Sequence, residues 1–312
     1  MAVRSGVASL AFDPTRTRGR GLVDIARSFV TATRLGWQME ANWTDPLLFF
    51  IYSIAKPISS TLIFVVMVEV IGGPTTHELR GFVVVGTALW SFVMSGIAGL
   101  AWSVLEDRER YRMLKYVYVS PSEFLVVLLG RGVARVAVGA MGALITLLLG
   151  VAVLGVAFDP AGIDWPLLLV AMVVGLVAIV AVGVALAAVC IQTRQEAWSY
   201  PEAAAGALFL VCGAVFPLAV LPAPVQVIGL LNPLAWWLEG IRSALLASPF
   251  SGIGGPGSLF AEWTGRTAPD SLEIVVALLA TGTLVTLAAI VGFRLSDRRA
   301  KDRGLLDQTT GS

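Results

Sequence analysis

The sequence is poor in charged side chains, which make up only 14% of its 312 residues. A soluble domain of ordinary composition carries roughly a quarter of charged residues. Hydrophobic residues account for 57% of the chain, and the mean hydropathy is +0.82. A water-soluble fold of this size could not cover so much apolar surface with so few polar groups. The composition therefore excludes an ordinary soluble protein and predicts an integral membrane protein.

Residues that carry most metal and catalytic chemistry are equally scarce. The one histidine, His77, lies among charged and turn-forming residues and is interpreted as a solvated loop residue. The two cysteines, Cys190 and Cys212, fall inside apolar runs and are interpreted as buried thiols. No Cys-x-x-Cys, His-Glu-x-x-His or Gly-x-x-x-x-Gly-Lys-[Ser/Thr] motif occurs. We therefore expect no metal, no catalytic residue and no cofactor in this chain, and the net charge of +1 indicates no nucleic-acid partner.

Long apolar runs are what the sequence has in abundance. The hydrocarbon core of a bilayer, about 30 Å thick, needs roughly 20 apolar residues as a helix. Backbone groups in lipid also need hydrogen-bond partners within their own segment. The expected fold is an all-α polytopic membrane protein with six transmembrane helices, which we number as spans one to six. They are Leu47–Ile71, Phe82–Leu105, Leu125–Phe158, Leu167–Ile191, Ala203–Leu221 and Ile274–Phe293.

Capping residues predict where some helices begin. Asp45-Pro46 and Asn232-Pro233 each have the pattern of an N-cap followed by proline at the first helical position. Ser120-Pro121-Ser122-Glu123 has the pattern of a capping box, and it predicts that a helix starts there.

The distribution of Lys and Arg predicts the orientation. These residues concentrate before the first span, between spans two and three, and after span six. An excess of Lys and Arg marks cytoplasmic segments, so both termini are expected in the cytoplasm. The membrane is expected to be the bacterial plasma (inner) membrane. The opposite side holds only Arg80, Arg242 and Arg266. The expected parts are a flexible tail 1–20, a transmembrane domain 46–293 and a cytoplasmic tail 294–312.

Three further segments are not simple spans. Residues 21–45 carry a polar stripe at steps of three and four residues, which predicts a helix in the cytoplasmic interface; a packed soluble helix is the alternative. Residues 222–247 are apolar, rich in Pro and Trp and broken at Asn232-Pro233, which predicts two short re-entrant or interfacial helices. Residues 248–270, rich in Gly, Ser and Pro, predict an exposed external loop.

Ionisable and aromatic residues within the apolar runs are candidates for transport. Lys56, midway along span one, is a functional candidate, with packing or snorkelling as the alternative. Arg131 and Arg135 share a helical face near the start of span three, where they either snorkel to the interface or contact a cytoplasmic partner. Pathway candidates that could equally be packing residues are Trp90, Phe92, Trp102 and Phe209.

The segment 106–124 is longer than the connection between two spans requires. Its charged part mixes acids and bases, which suits docking to another protein, although a solvated loop would show the same composition. The residues concerned are Glu106, Asp107, Arg108, Glu109, Arg110 and Arg112.

In three places the sequence resembles the permease subunits of type 2 ABC exporters. The first is Glu106-Asp107-Arg108-Glu109, running through Leu114 to Ser120-Pro121 and on to Leu128-Leu129-Gly130-Arg131. The second comprises Phe216-Pro217-Leu218, Leu221-Pro222 and Leu231-Asn232-Pro233-Leu234, running on to Arg242. The third is the order of parts over about residues 20–300: an amphipathic helix, six spans, and a broken external hairpin before the last span.

The resemblance implies a function for each part. Residues 21–45 would be a connecting helix, 106–118 would contain the coupling helix that docks on an ATPase, and 222–247 would cap the pathway. Two permease chains, identical or related, would contact membrane lipids and work with two ATPase subunits that bind ATP and Mg. The assembly would export a drug, a lipid or a lipid-linked glycan. The implied external gate comprises Phe216, Pro217, Pro222, Asn232, Pro233, Trp236 and Trp237.

Two features depart from the family pattern, namely the bulk of Trp236-Trp237 and the length of 248–270. An ion-coupled secondary transporter is the alternative function. It would need coupling-ion sites near the midplane, for which the sequence offers only Lys56 and Glu69. A membrane-embedded enzyme is a third hypothesis, and it lacks acid–base residues within the spans.

Overall fold

The structure is a computed structural model that describes residues 21–41, 51, 55, 58–67, 70, 77–120, 122–156, 160–193, 198–246 and 250–302. The regular secondary structure within these ranges is helical, without a strand. The predicted all-α membrane fold is confirmed.

The helices are labelled in chain order over the described ranges. They are α1 (Leu22–Ala41), α2 (His77–Leu105), α3 (Leu114–Val119), α4 (Phe124–Ala152), α5 (Trp165–Gln192), α6 (Ser199–Val211), α7 (Ala223–Leu231), α8 (Pro233–Leu245), α9 (Leu259–Thr264) and α10 (Ser271–Asp302). A π-helical turn, Glu106–Arg110, continues α2 directly, and a 3-10 turn, Leu218–Val220, precedes α7.

Four helical segments of the described chain are long and apolar enough to cross a membrane: Leu79–Arg110, Phe124–Ala152, Trp165–Gln192 and Ser271–Asp302. They correspond to predicted spans two, three, four and six. α4 ends before the predicted boundary at Phe158, because Gly155 turns the chain with φ +64°. α10 continues beyond Phe293 to Asp302, so the predicted tail 294–312 begins as helix.

Predicted spans one and five have different outcomes. Part of span one, including Lys56 and Glu69, lies outside the described residues, whereas Ile58–Met67 is helical. Span five was predicted as one helix over Ala203–Leu221, and this is wrong because α6 ends at Val211. Gly213 then adopts a left-handed φ of +72°, which favours glycine and ends a helix.

The predicted helix caps also have different outcomes. Asn232 Oδ1 accepts a hydrogen bond from the Leu234 N–H at 3.0 Å, and Pro233 is the first residue of α8, as predicted. The predicted capping box is wrong. Ser120 instead ends α3, and its hydroxyl donates to the Val117 carbonyl at 2.7 Å. α4 begins only at Phe124, after a residue whose side chain makes no capping hydrogen bond.

Small residues allow the central helices to approach closely. A Cβ added at Gly183 of α5 would lie 2.8 Å from the Gly96 carbonyl oxygen of α2. A Cβ at Gly139 of α4 would lie 2.5 Å from the Cβ of Ser95. Interfaces between membrane helices rely on such close packing, because lipid supplies no hydrophobic force between helices. The segment Leu79–Arg110 is consequently the most enclosed of the four spanning segments described above. In its most apolar 18-residue stretch, 78% of the residues are buried.

The largest hydrophobic core lies where α2, α5, α8 and α10 meet. Trp237 of α8 is fully buried there, together with Leu234 and Leu278. The indole of Trp237 fits against α5 only because residue 175 is glycine: a Cβ at that position would lie 1.8 Å from Trp237 Cδ1.

We predict that Gly175→Ala lowers the thermal stability of the purified chain in detergent. The added methyl collides with an enclosed indole, and overpacking of this kind costs about 1–3 kcal/mol. The matched control is Gly206→Ala in α6, where an added Cβ meets nothing within 4 Å. That control should be neutral or stabilising by about 0.5–1 kcal/mol, because alanine favours the helix. A melting temperature for Gly175→Ala equal to that of the control would contradict the described packing.

Candidate functional site

Two clusters of buried charged residues lie near opposite ends of α2. One surrounds the π turn, and we call it the π-turn network: Glu40, Glu106, Asp107, Arg108, Arg131 and Arg135. The other surrounds the start of α2, and we call it the Arg242 cluster: Glu239, Arg242 and Ser251. From Phe82 to Asp107 the helix spans roughly 37 Å, at about 1.5 Å per residue.

The π turn directs two of its charged side chains, those of Asp107 and Arg108, into the protein. The Tyr111 N–H donates to the Glu106 carbonyl at 2.8 Å, five residues back, which widens the turn relative to an α-helix. Only 4% of Asp107 and 5% of Arg108 is exposed. π-helical turns are uncommon and frequently occur at functional sites.

Ion pairs join the π turn to α4. Asp107 and Arg131 form a buried pair, and Arg131 Nη1 also donates to the Ser103 carbonyl at 3.2 Å. Both oxygens of Glu106 accept from Arg135 Nη2 at 2.8 Å. A second contact of 3.6 Å joins Glu106 to Arg131. Two of the three acids of the turn, Glu106 and Asp107, are therefore matched by two arginines one helical turn apart on α4.

The network extends to α1 and α5. Glu40 of α1 lies 3.1 Å from Arg135 Nη1. Arg108 points the other way, and its Nη1 donates to the carbonyls of Cys190 and Thr193 at 3.1 and 2.9 Å. The carbonyls at a helix C-terminus lack partners within the helix and carry partial negative charge. The Arg108 guanidinium therefore caps α5.

Carboxylates outnumber guanidinium groups where α1 meets α4. Glu40, Glu106 and Asp107 face Arg131 and Arg135. Burial raises the pKa of the Glu40 carboxyl above its ordinary value; the nearby Glu106 carboxylate adds to the rise and Arg135 opposes it. A cleft of about 100 Å³ opens beside these groups. It is lined by Met39, Glu40, Glu106, Arg110, Tyr111 and Arg135.

The residues predicted to dock on a partner separate into two groups. Glu106, Asp107 and Arg108 contact other helices of this chain, and Glu109 accepts from Arg108 Nε at 2.7 Å. Arg110 and Arg112 are exposed. Arg131 and Arg135 are both paired with acids of this chain, an arrangement that neither interpretation from the sequence described. The sequence predictions do not include Glu40, since no motif marks it; its only signal is an acid near the end of the predicted interfacial helix.

Beyond the π turn, α3 is attached to α10. The Tyr118 hydroxyl donates to Asp297 Oδ1 at 2.7 Å. Burial and the Asp297 carboxylate raise the pKa of Tyr118 above its ordinary value, so the hydroxyl keeps its proton. The same helix exposes 68% of Tyr116 and 86% of Val119.

Arg242 replaces the hydrogen bonds that the break after α6 removes. Its Nη1 donates to the Gly213 carbonyl at 2.7 Å, and its Nη2 donates to the Ala214 carbonyl. The guanidinium also lies 3.5 Å from the ring centroid of Phe82. α2 can approach this group because residue 86 is glycine and has no Cβ. A Cβ at this position would lie 1.8 Å from the Ala214 oxygen.

Glu239, one helical turn before Arg242, holds the segment that follows α8. Its carboxylate accepts from the Ser251 hydroxyl and from the Gly252 N–H, the latter at 2.7 Å. Residues 251–254 are buried as a result, so the prediction of an exposed loop is wrong for this part. Within the rest of the described loop, α9 forms a short helix that Ser258 caps.

The predicted gate and pathway residues lie in packed surroundings. Trp236 Nε1 donates to the Leu230 carbonyl at 2.7 Å, and Trp237 stacks on Phe92 with ring centroids 5.9 Å apart. Trp90 packs on Phe209 at 4.8 Å. Phe216 packs against the main core and Trp102 against a smaller one. Pro217 and Pro222 precede the 3-10 turn and α7, and Asn232-Pro233 joins α7 to α8. Lys56 lies outside the described residues.

The part of the chain that the structure describes holds no group of three or more His, Cys, Asp and Glu residues suited to a metal ion. Cys190 and Cys212 are free and buried.

A family model described as ABC-2 type transporter matches residues 29–246. The match covers more than half of the chain and extends from α1 to the end of α8, so it includes the whole π-turn network and Arg242. No curated protein matches the chain significantly.

We predict that Arg242→Met lowers the thermal stability more than Arg242→Lys does. Methionine leaves two buried carbonyls without donors, whereas lysine can reach one of them. Removing one partner of a buried charged group typically costs about 3–5 kcal/mol. The control is Arg266→Met, because Arg266 pairs with Asp270 and Glu273 at the exposed start of α10. Equal melting temperatures for the Arg242 and Arg266 methionine variants would show that Arg242 does not support the break.

Proposed function

We propose that this chain, which belongs to the ABC-2 type transporter family, exports an amphipathic or hydrophobic substrate across a bacterial plasma membrane. It is a multi-pass membrane protein and a permease subunit of an ABC transporter. The observation that carries the proposal is the extent of the family match, because residues 29–246 include every described element proposed for coupling and gating. A drug, a lipid and a lipid-linked glycan all remain within the proposed substrate class.

The energy for export is proposed to come from a separate ATPase subunit that binds ATP and Mg. The sequence lacks a phosphate-binding P-loop motif, and permeases of this family are the membrane components of their transporters. The surface proposed to bind the ATPase comprises Arg110, Arg112, Tyr116 and Val119, and we call it the docking surface. All four are exposed, and they follow directly on the π-turn network.

Several contacts support a cytoplasmic location for this surface. Arg108 holds the end of α5, and the Ser296 hydroxyl of α10 donates to the Ala188 carbonyl at 2.6 Å. The end of α2, the start of α4 and the ends of α5 and α10 therefore lie together. This end of the protein also carries the basic residues between spans two and three and after Phe293. By the preference of Lys and Arg for the cytoplasm, we place both termini inside.

A second permease chain, identical or related, completes the proposed transporter. Phe92 and Trp237 stack on each other inside the core of one chain, and Trp90 packs on Phe209. A route through the middle of a single chain would have to separate these rings. We therefore place the pathway between two permease chains, with α7 and α8 at its external end.

The proposal is tested by purifying the chain from its native cells after mild crosslinking. We predict that a P-loop ATPase is retained in a ratio of one per permease, and that the complex hydrolyses ATP whereas the isolated permease does not. Hydrolysis by a contaminant-free permease, or the absence of any ATPase from the purified material, would contradict the proposed function.

The docking surface is tested in the same assay with Arg110→Glu/Arg112→Glu. A reversed charge facing like charges at an interface can cost several kcal/mol, so retention of the ATPase should fall by about tenfold or more. The matched control is Glu262→Lys, an exposed residue of α9, which should retain the ATPase at the wild-type level. Unchanged retention in the double arginine variant would place the docking surface elsewhere.

A further inference from the structure

We propose that Glu106, Asp107 and Arg108 are positioning residues that transmit movement into the membrane helices, and that they do not dock on the ATPase. The inference rests on the proposed function, because it requires an ATPase bound at the docking surface. It concerns how movement of that surface reaches α1, α4 and α5.

A partner protein cannot reach the centre of the π-turn network. Asp107 and Arg131 are each about 95% or more enclosed by this chain, with side-chain exposures of 5% and 4%. Arg108 is similarly enclosed, and three carbonyls at the end of α5 lie within hydrogen-bond reach of its Nη1. Arg110, two residues later, is exposed. The boundary between buried and exposed charges therefore falls within the π turn itself.

The pairing makes the π turn and α4 move together. If the turn swung away from α4, Asp107 and Arg131 would each lose their partner in a dry environment, and unpaired buried charges are strongly unfavourable. The Glu106–Arg135 contact adds a second attachment one helical turn further along α4. Two contacts at different positions along α4 resist rotation of the π turn relative to α4 as well as separation of the two.

α1 joins the same unit through backbone packing and one ion pair. A Cβ at Gly36 would lie 3.1 Å from Arg131 Cα, and a Cβ at Gly130 would lie 2.7 Å from the Phe29 carbonyl oxygen. The two backbones are therefore in direct contact beside the buried pair. Glu40 adds its contact with Arg135 in the next turn of α1.

The π turn ends at Arg110, and Arg112 follows it closely in the chain. This residue adopts φ +51°, a left-handed conformation that a non-glycine residue rarely takes. The chain then turns into α3. Force applied to the docking surface therefore reaches α4 and α1 through Asp107 and Glu106, and reaches α5 through Arg108.

The test uses Asp107→Asn, which keeps the shape of the side chain and removes its charge. Glu106→Gln is measured in parallel, because its side chain is 20% exposed and can be hydrated when its ion pair is lost. Each variant is purified with the ATPase and reconstituted in proteoliposomes. ATPase retention is measured first. The second readout is the ATP-dependent change in labelling of Glu262→Cys by a membrane-impermeant maleimide.

We predict that both variants retain the ATPase at the wild-type level and lose about three- to tenfold of the ATP-dependent change in labelling. A purely structural role would not separate these two readouts. Arg131→Lys, which keeps the charge, should preserve more of the change than Arg131→Met.

Two results would overturn the inference and leave the proposed function standing. The first is loss of ATPase retention in Asp107→Asn and Glu106→Gln, as in Arg110→Glu/Arg112→Glu, because the buried acids would then belong to the docking surface. The second is a full ATP-dependent change in both variants. Failure of the wild-type chain to retain an ATPase would instead contradict the proposed function itself.

Discussion

The buried pair between Asp107 and Arg131 is the interaction on which the arrangement of this protein's charged end depends. A charge removed from water must be paired and hydrogen-bonded, since an isolated buried ion is strongly destabilising. The last turn of α2 widens into a π-helix in the segment that carries Asp107. Once this acid and Arg131 are paired, Glu106 meets Arg135, Arg135 meets Glu40, and α1 is held against α4. A segment that looks solvated from its composition thus becomes a junction of four helices.

Near each end of α2, an arginine donates to backbone carbonyls that lack partners at the end of another helix. Arg108 caps the C-terminus of α5, and Arg242 serves the carbonyls that follow α6. The planar guanidinium suits this task because its donors diverge within one plane. The break after α6 can exist at a buried position only because Arg242 supplies these donors. Glu239 and Arg242, one helical turn apart on α8, thereby fix the segment that follows α6 and the segment that follows α8.

The apolar runs predicted much of the fold, because the length of a membrane helix follows from bilayer thickness and composition. Spans two and four agree closely with α2 and α5, and Asn232 caps α8 as its sequence indicated. Span five failed because hydropathy counts apolar residues without regard to φ, and because its break depends on Arg242, far along the chain. The acids of the π turn were assigned to the surface because their partners on α4 are remote in sequence, and pairing at that distance leaves no periodic signal. The capping pattern at Ser120 failed because α3 ends at that residue.

A double-mutant cycle on unfolding stability measures the interaction between Asp107 and Arg131. The stabilities of Asp107→Asn, Arg131→Met and the double variant are compared with that of the wild type in the same detergent. If the two side chains form the buried pair, either single change removes the nearest charged partner of the other residue. The double variant should then lose less stability than the two singles combined, by about 0.5–3 kcal/mol. Strict additivity would instead mean that Asp107 and Arg131 do not interact in the folded protein.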